Sequence, residues 1–297
     1  MNWGYQSPLR YPGSKRKFAS IVKRYVEASY SGNKTLIEPY AGGASVSISL
    51  LSSGHIRSAE LYDLDPLVVA FWKAVRDCPK DLIAIIESCE LSIENWVVQK
   101  RIAEEYNGEG DDLSAAFSFL FLNRTNFSGI IGAGPIGGMS QSSKYKIGCR
   151  FNKDRICKTI ETMSKIMQNV IIECRSAQEV FLDRANDDRV FWFIDPPYIS
   201  MGKRLYRFFY DIEEQEKSAA LIGGLSGDWI YTIDDEKFIR ENFSIHAIRS
   251  VVWEYYLKTR SLKAEYFAVS DSLGYSVQEG FPEAAEFTED YLRVGSI

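Results

Sequence analysis

Four consecutive residues, Asp195-Pro196-Pro197-Tyr198, carry the most specific chemistry in this chain. They follow the apolar run from Val190 to Ile194, which reads as a buried strand. A strand thus delivers an acceptor carboxylate, two residues without a backbone N–H, and an aromatic ring. That grouping suits a planar amine on a heterocycle. The exocyclic amine of adenine is a poor nucleophile, because its lone pair is delocalised into the ring. Acceptors on both of its N–H bonds draw the nitrogen towards a tetrahedral geometry and localise that pair. The Asp195 carboxylate is one such acceptor. The Pro196 carbonyl is the other, since proline keeps its C=O. Tyr198 can stack on the base, a contact of roughly 1–3 kcal/mol for nucleobases. Positioning and charge stabilisation would then supply most of the rate. On backbone grounds alone, Asp-Pro-Pro is also a plain strand-terminating turn.

Two further turns could hold a ligand beside this group. The first predicted strand ends Glu38-Pro39-Tyr40-Ala41-Gly42-Gly43-Ala44 and runs into a helix of small and apolar residues. Glycines at a strand-to-helix turn let a ligand approach the backbone at the helix N-terminus. The second strand ends Leu61-Tyr62-Asp63. An acid there, about twenty residues beyond the glycines, can accept from the hydroxyls of an adenosyl ribose. Asp63 could equally be a helix N-cap. The full dinucleotide glycine fingerprint is absent, which favours another adenosyl cofactor over a nicotinamide one. Near the start, Tyr11-Pro12-Gly13-Ser14-Lys15 reads as a turn into a helix opened by Lys15. A cation in that position opposes the helix dipole, and a cofactor carboxylate would compensate it.

The elements that must position these residues alternate at both ends of the chain. Strands are predicted over 35–39, 58–63, 170–174, 190–194, 228–233, 246–256 and 264–270. Helices are predicted over 15–30, 44–53, 66–76, 80–88, 92–106, 112–122, 153–168 and 213–224. Residues 76–155 break the alternation with helices and then a Gly/Ser-rich stretch. The expected architecture is an α/β domain (1–75 and 156–297) carrying a helical insertion (76–155).

Composition narrows the function class. The 297 residues are 45% hydrophobic and 25% charged, ordinary for a soluble globular protein. No run is apolar enough to span a bilayer, and no signal-peptide pattern opens the chain. Five cysteines without a CxxC pair, with two histidines, make no plausible zinc set. A reduced, cytoplasmic setting is expected. The net charge is −5, yet residues 1–25 hold six bases and no acid: Arg10, Lys15, Arg16, Lys17, Lys23 and Arg24. Residues 120–158 hold seven bases against Asp154 alone: Arg124, Lys144, Lys146, Arg150, Lys153, Arg155 and Lys158. Acid gathers instead in residues 77–112 and 279–290. Such segregation can build a basic face on an acidic protein, although basic runs are also ordinary solvated helix faces.

Taken in order, these motifs resemble the Dam-like DNA adenine N6-methyltransferases over roughly residues 7–271. After Asp-Pro-Pro-Tyr, the most specific part is the insertion, with Asn123-Arg124-Thr125-Asn126-Phe127-Ser128-Gly129 and later Arg150-Phe151-Asn152-Lys153. The resemblance implies a Rossmann-like methyltransferase sandwich, α/β with a mixed, mostly parallel sheet, and an inserted, mainly helical target-recognition domain. It implies S-adenosylmethionine as cofactor and a flipped-out adenine in duplex DNA as substrate. Tyr11 and Lys15 match positions at the methionine end, Tyr40 and Gly42 the turn beneath the cofactor, and Asp63 its ribose. Glu38, Ser176 and Asp195 belong to the same cofactor set. Asp195, Pro196, Pro197 and Tyr198 form the catalytic set. Arg124, Asn126, Phe127, Ser128, Lys144, Lys146, Arg150 and Lys153 are expected on DNA, the lysines and Arg150 on phosphates and the Thr125–Ser128 loop at the bases. The apolar side chain of Phe127 suits a wedge, or equally a place in the core. The resemblance also allows a separately acting cognate restriction endonuclease.

Three positions depart from the family pattern. Arg175-Ser176 stands where an acid near the cofactor adenine is common, Gln215 lies where relatives often carry paired histidines, and Phe127 replaces a usual arginine. An RNA or small-molecule N-methyltransferase on the same fold, or a catalytically impaired DNA-binding relative, are the alternatives. The basic insertion argues against the former, and the intact Asp-Pro-Pro-Tyr and glycine turn against the latter.

Overall fold

The computed structural model describes residues 7–11, 15, 18–29, 35–199, 206–233, 236–243, 248–256 and 260–276. Residues 12–14, Arg16, Lys17 and the acidic stretch 279–290 lie outside the described residues. Seven strands among those described form one sheet: β1 (Thr35–Glu38), β2 (Ala59–Asp63), β3 (Val170–Cys174), β4 (Val190–Ile194), β5 (Asp228–Ile233), β6 (Ile248–Tyr256) and β7 (Arg260–Val269). Their order is β3-β2-β1-β4-β5-β7-β6. The first five named in that order pair in parallel, and β7 runs antiparallel to β5 and β6.

Helices fill both faces: α1 (Ala19–Ser29), α2 (Ser45–Ser52), α3 (Pro66–Asp77), α4 (Pro79–Ser88), α5 (Ile93–Glu105), α6 (Asp112–Thr125), α7 (Lys153–Ile166), α8 (Ala177–Arg184), α9 (Ile212–Ile222), α10 (Glu236–Asn242) and α11 (Asp271–Ser276). The central strand β4 is buried at every position, as a parallel strand covered on both sides must be. Phe191 and Phe193 enter one core with Leu36, Leu61 and Ile230, and Trp192 and Ile194 enter a second with Ile37 and Tyr231. Successive strand residues face opposite ways, so the sheet is the middle of three layers.

The helical character expected of residues 76–155 is present in α4, α5 and α6, with 3₁₀ turns at Phe127–Gly129 and Ile147–Arg150. These helices share the first core with α3 rather than enclosing one of their own. Phe119 of α6 lies 5.8 Å from Phe71 of α3 between ring centroids. The α1 helix begins at Ala19, four residues after Lys15, so Lys15 precedes the helix instead of opening it. Among the described residues no helix is long and apolar enough to cross a membrane.

This topology places the site. Strand order reverses between β1 and β4, because β1 leads outward to β2 and β3 while β4 leads outward to β5. The loops leaving β1 and β4 diverge there and open a crevice at the carboxyl ends of the strands. Glu38 closes β1 and Asp195 follows β4, so both acids arrive at that crevice.

Candidate active site

A cleft opens at this point. Its lining brings together Tyr11, Lys15, Glu38, Tyr40, Gly42, Asp63 and Asp195. These come from four separate chain segments, each with its own sequence signal. The glycine turn is held from two sides. Gly42 N donates to Asp63 Oδ2 at 2.9 Å, and Trp72 Nε1 donates to the Gly42 carbonyl at 2.8 Å. Gly42 has φ of 44°, and a Cβ there would stand 2.6 Å from the Tyr11 ring. The position therefore requires glycine, both for its left-handed backbone and for the packing of Tyr11. Asp63 also accepts from Asp65 N at 2.9 Å. The acid at the end of β2 thus ties the glycine turn to the cleft floor. The cap of α3 is Asp65, whose side chain accepts from Leu67 N, so the cap reading falls two residues beyond Asp63.

Around Asp195 the contacts are direct. Lys15 Nζ lies 2.9 Å from Asp195 Oδ1 and donates to Tyr198 Oη at 2.9 Å. Thr232 Oγ1 donates to the same Asp195 Oδ1 at 2.6 Å. The Pro197 carbonyl accepts from Gln215 Nε2 at 2.7 Å, and Gln215 Oε1 accepts from the Tyr231 hydroxyl at 3.3 Å. Among the described residues none donates to the Pro196 carbonyl. Asp195 and Pro197 line the cleft, and Tyr198 reaches it through Lys15.

The sequence model of the D12 class of N6 adenine-specific DNA methyltransferases matches residues 11–255. The chain belongs to this family. It is similar to the type II methyltransferase M.MjaIII of Methanocaldococcus jannaschii, at 24% identity over 207 residues, covering 66% of this chain and 70% of the relative. A DNA adenine methylase of Vibrio cholerae shares 23% identity over 203 residues, 65% of each chain. The type II methyltransferase M.CviBI of Paramecium bursaria Chlorella virus NC1A shares 25% over 221 residues, 74% of this chain and 80% of the viral one. The chain is therefore an adenine-specific DNA methyltransferase, and DNA is its substrate.

The acids of the methyltransferase cleft are held against their preference. Burial raises the Glu38 carboxyl to about 7, and Asp195 adds to the effect, although Ser47 N donates to Glu38 Oε1 at 2.7 Å. Burial likewise raises Asp63 to about 7. A buried carboxyl whose ionisation is penalised is characteristic of a functional cleft. The consequence for stability has a definite sign. With a folded value near 7 above the ordinary 4.5, Glu38 keeps its proton in the folded state through a window where the unfolded chain releases it. The penalty is absent below that window and complete above it. Wild type is therefore expected to lose stability relative to Glu38→Gln as pH rises from about 5 to about 8, by up to roughly 3 kcal/mol. Urea unfolding of both ligand-free proteins at the two pH values measures this, and parallel pH curves would refute it.

Several expected site residues make contacts other than those expected, and each has a physical reason. Lys15 was expected on a cofactor carboxylate. It does line the cleft, and its almost wholly buried ammonium pairs with the part-exposed carboxylate of Asp195 at 2.9 Å. Ser176 was expected at the cofactor, but it caps α8 in a reciprocal capping box with Glu179 and does not line the cleft. Asn126 was expected at the bases. It is fully buried, accepts from Trp96 Nε1 at 2.6 Å, and donates to the Ile130 and Ile131 carbonyls at 2.9 Å each. It shapes the loop from within. Lys146 donates to the Gln141 carbonyl, and Lys153 to the Glu87 and Cys89 carbonyls at 2.8 and 2.6 Å. Both ammonium groups expected on phosphates are therefore engaged in holding loops.

The remaining loop residues are at the surface. Phe127 is 69% exposed, which excludes the core reading for it, and Ser128 beside it has φ of 57°. Lys144 and Arg150 are exposed as well. The loop is anchored to the cleft wall through Asn123. Asn123 Oδ1 accepts from Arg10 N at 2.7 Å, and its amide donates to the Arg10 and Gly129 carbonyls at 3.2 and 3.0 Å. Arg10 precedes Tyr11 of the cleft, so the insertion and the site share one short segment. A Cβ at Gly129 would meet the Arg10 carbonyl at 2.3 Å, which fixes that residue as glycine.

Sequence reasoning missed the far wall of the cleft. Tyr206, Arg207, Phe208 and Tyr210 line it, and Arg207 Nη1 pairs with Asp65 Oδ1 at 3.0 Å. Four aromatics within residues 206–210 were a readable signal, since such density is unusual in a solvent-facing loop. Thr232 and Gln215 carried no comparable local signal.

Proposed function

We propose that the cleft holds S-adenosylmethionine beside a flipped adenine, and that Asp195 with the Pro196 carbonyl accepts the two N6 protons. The juxtaposition of Asp195 with the glycine turn and Asp63 in one cleft carries this reading. The residues present suit the cofactor. Glu38, Asp63 and Asp195 supply carboxyl oxygens along the cleft, and Tyr11, Phe193, Tyr206 and Phe208 supply apolar walls for an adenine ring. Asp63, ionised at a cost in its buried place, gains from the donors of a ribose.

The family generally uses S-adenosylmethionine, which supplies a methyl carbon that bonds to N6 as the carbon–sulfur bond breaks and its electron pair stays on sulfur. The chain's own residues do the rest. Asp195 and Pro196 orient the N6 lone pair and draw electron density onto it. The Tyr198 ring stacks on the base. The surplus N6 proton leaves towards Asp195 and then to solvent. The Pro197 carbonyl already accepts from Gln215, whereas among the described residues none donates to the Pro196 carbonyl, which favours Pro196 for that role. Phe127 fills the space vacated by the flipped base. The type II names of two relatives favour a place beside a restriction endonuclease recognising the same site.

The test is direct. Purified protein with labelled S-adenosylmethionine should methylate duplex DNA far faster than RNA of the same sequence. Sequencing of DNA from expressing cells should then report N6-methyladenine in one recurring context. Equal labelling of RNA, or methylation without sequence context, would overturn the reading.

A further inference from the structure

We infer that Thr232 is a positioning residue for methyl transfer. With Lys15 it fixes Oδ1 of Asp195 and so assigns the other oxygen, Oδ2, to the adenine amine. The inference rests on the reading of the cleft proposed above. Thr232 does not line the cleft, and its side chain is 1% exposed, so it cannot touch the base itself. Its hydroxyl lies 2.6 Å from Asp195 Oδ1, and Lys15 Nζ lies 2.9 Å from the same atom. Among the described residues no donor reaches Oδ2.

Two donors on one oxygen prevent the carboxylate from turning about its last bond without losing both. The free lone pairs of Oδ2 are then held in one direction before substrate arrives. Pre-set acceptors of this kind avoid reorganisation during the reaction. The sheet accounts for the arrangement. Ile194 is in register with Tyr231, so the next residues along the parallel strands, Asp195 and Thr232, are neighbours on one face. Tyr231 faces the other way and, through Gln215, holds the Pro197 carbonyl. Consecutive residues of β5 thus fix the Asp-Pro-Pro segment from opposite faces. A serine or threonine is needed at 232, because an apolar side chain of the same shape offers no donor.

Thr232→Val, Thr232→Ala and Thr232→Ser in the full chain test this. Both variants without a hydroxyl should lose about ten- to a hundredfold in kcat. Their KM for DNA and their Kd for S-adenosylmethionine should stay within about twofold, since the residue touches neither ligand. Thr232→Ser, which loses the methyl group but keeps the donor, should recover most of kcat. A purely structural role predicts the reverse order, with valine, which preserves volume, the least harmful. Should the valine variant fail to fold, alanine against serine makes the same comparison. Valine turning over within twofold of wild type, or serine as impaired as alanine, would sink this inference alone. A wild-type chain inactive on DNA would instead sink the cleft reading, and this inference with it.

Discussion

Replacing Asp195 by asparagine is expected to lower methyl transfer by about 10²–10³ while leaving the fold and cofactor affinity largely intact, the typical cost of losing one positioned electrostatic group. The substitution is chosen for shape. Asparagine keeps an oxygen to accept from Thr232 and Lys15, the two donors now on Oδ1. With that oxygen so occupied, the amide nitrogen is turned towards the amine. Two N–H donors then face each other where an acceptor and a donor met, and the lone pair on N6 is no longer drawn out. Alanine would abolish activity too, but it would also leave the buried Lys15 ammonium without its carboxylate, and such a cation is costly to strand. Single-turnover transfer of a labelled methyl group to duplex DNA, with calorimetric titration of S-adenosylmethionine, separates chemistry from binding. Turnover within tenfold of wild type by the asparagine variant would remove Asp195 from the reaction.

The strands were legible because a sheet covered on both faces writes itself as short apolar runs. Val190 to Ile194 and Asp228 to Ile233 are fully buried, and the predicted strands have these same bounds. The α8 helix was missed because it presents only Ala177, Val180 and Phe181 to the core and is polar elsewhere. Its capping box was nonetheless written in the sequence as Ser176 followed three residues later by Glu179. The site was legible where a motif delivers several residues at once, as with Asp195 to Tyr198 and the glycine turn. It was not legible where one hydrogen bond joins distant residues. Asn126 looks like a polar loop residue until Trp96, thirty positions away in sequence, supplies the donor that buries it. Thr232 is one polar residue in an apolar strand, and only the register of β4 with β5 reveals its partner.

The second large effect concerns how DNA is gripped, and we propose that arginines, Arg150 as expected and Arg124 beside it, carry more of the phosphate contact than Lys146 and Lys153. Arg10, Arg124, Arg150 and Arg155 converge where α6, the Ile147–Arg150 turn and the start of α7 meet the segment before Tyr11. Burial lowers the Arg124 guanidinium to about 10, with repulsion from Arg10 and Arg155 adding to it. Burial, then Arg150, lowers Arg10 in the same way. Arg124 Nε is buried with no hydrogen-bond partner, and among the described residues no carboxylate pairs with Arg10, Arg124 or Arg150. Arg10, Arg124 and Arg150, like charges held together with no paired acid among the described residues, cost stability and suit an anion from outside. We propose that the phosphates of a DNA strand entering beside Phe127 are that anion. Arg124→Gln with Arg150→Gln is therefore expected to weaken binding to all duplex sequences alike, by about ten- to a hundredfold. The salt dependence should become shallower by about one unit for each phosphate no longer neutralised. Lys146→Gln with Lys153→Gln removes the same charge but should leave the slope near that of wild type, because those ammonium groups already hold backbone carbonyls. It should lower thermal stability instead, whereas the arginine pair should not, since its removal relieves repulsion. Fluorescence anisotropy across a salt series, with thermal unfolding of each protein, reads both. If the lysine pair shallows the slope and the arginine pair does not, phosphate binding returns to the lysines and the arginine cluster must be explained within the fold.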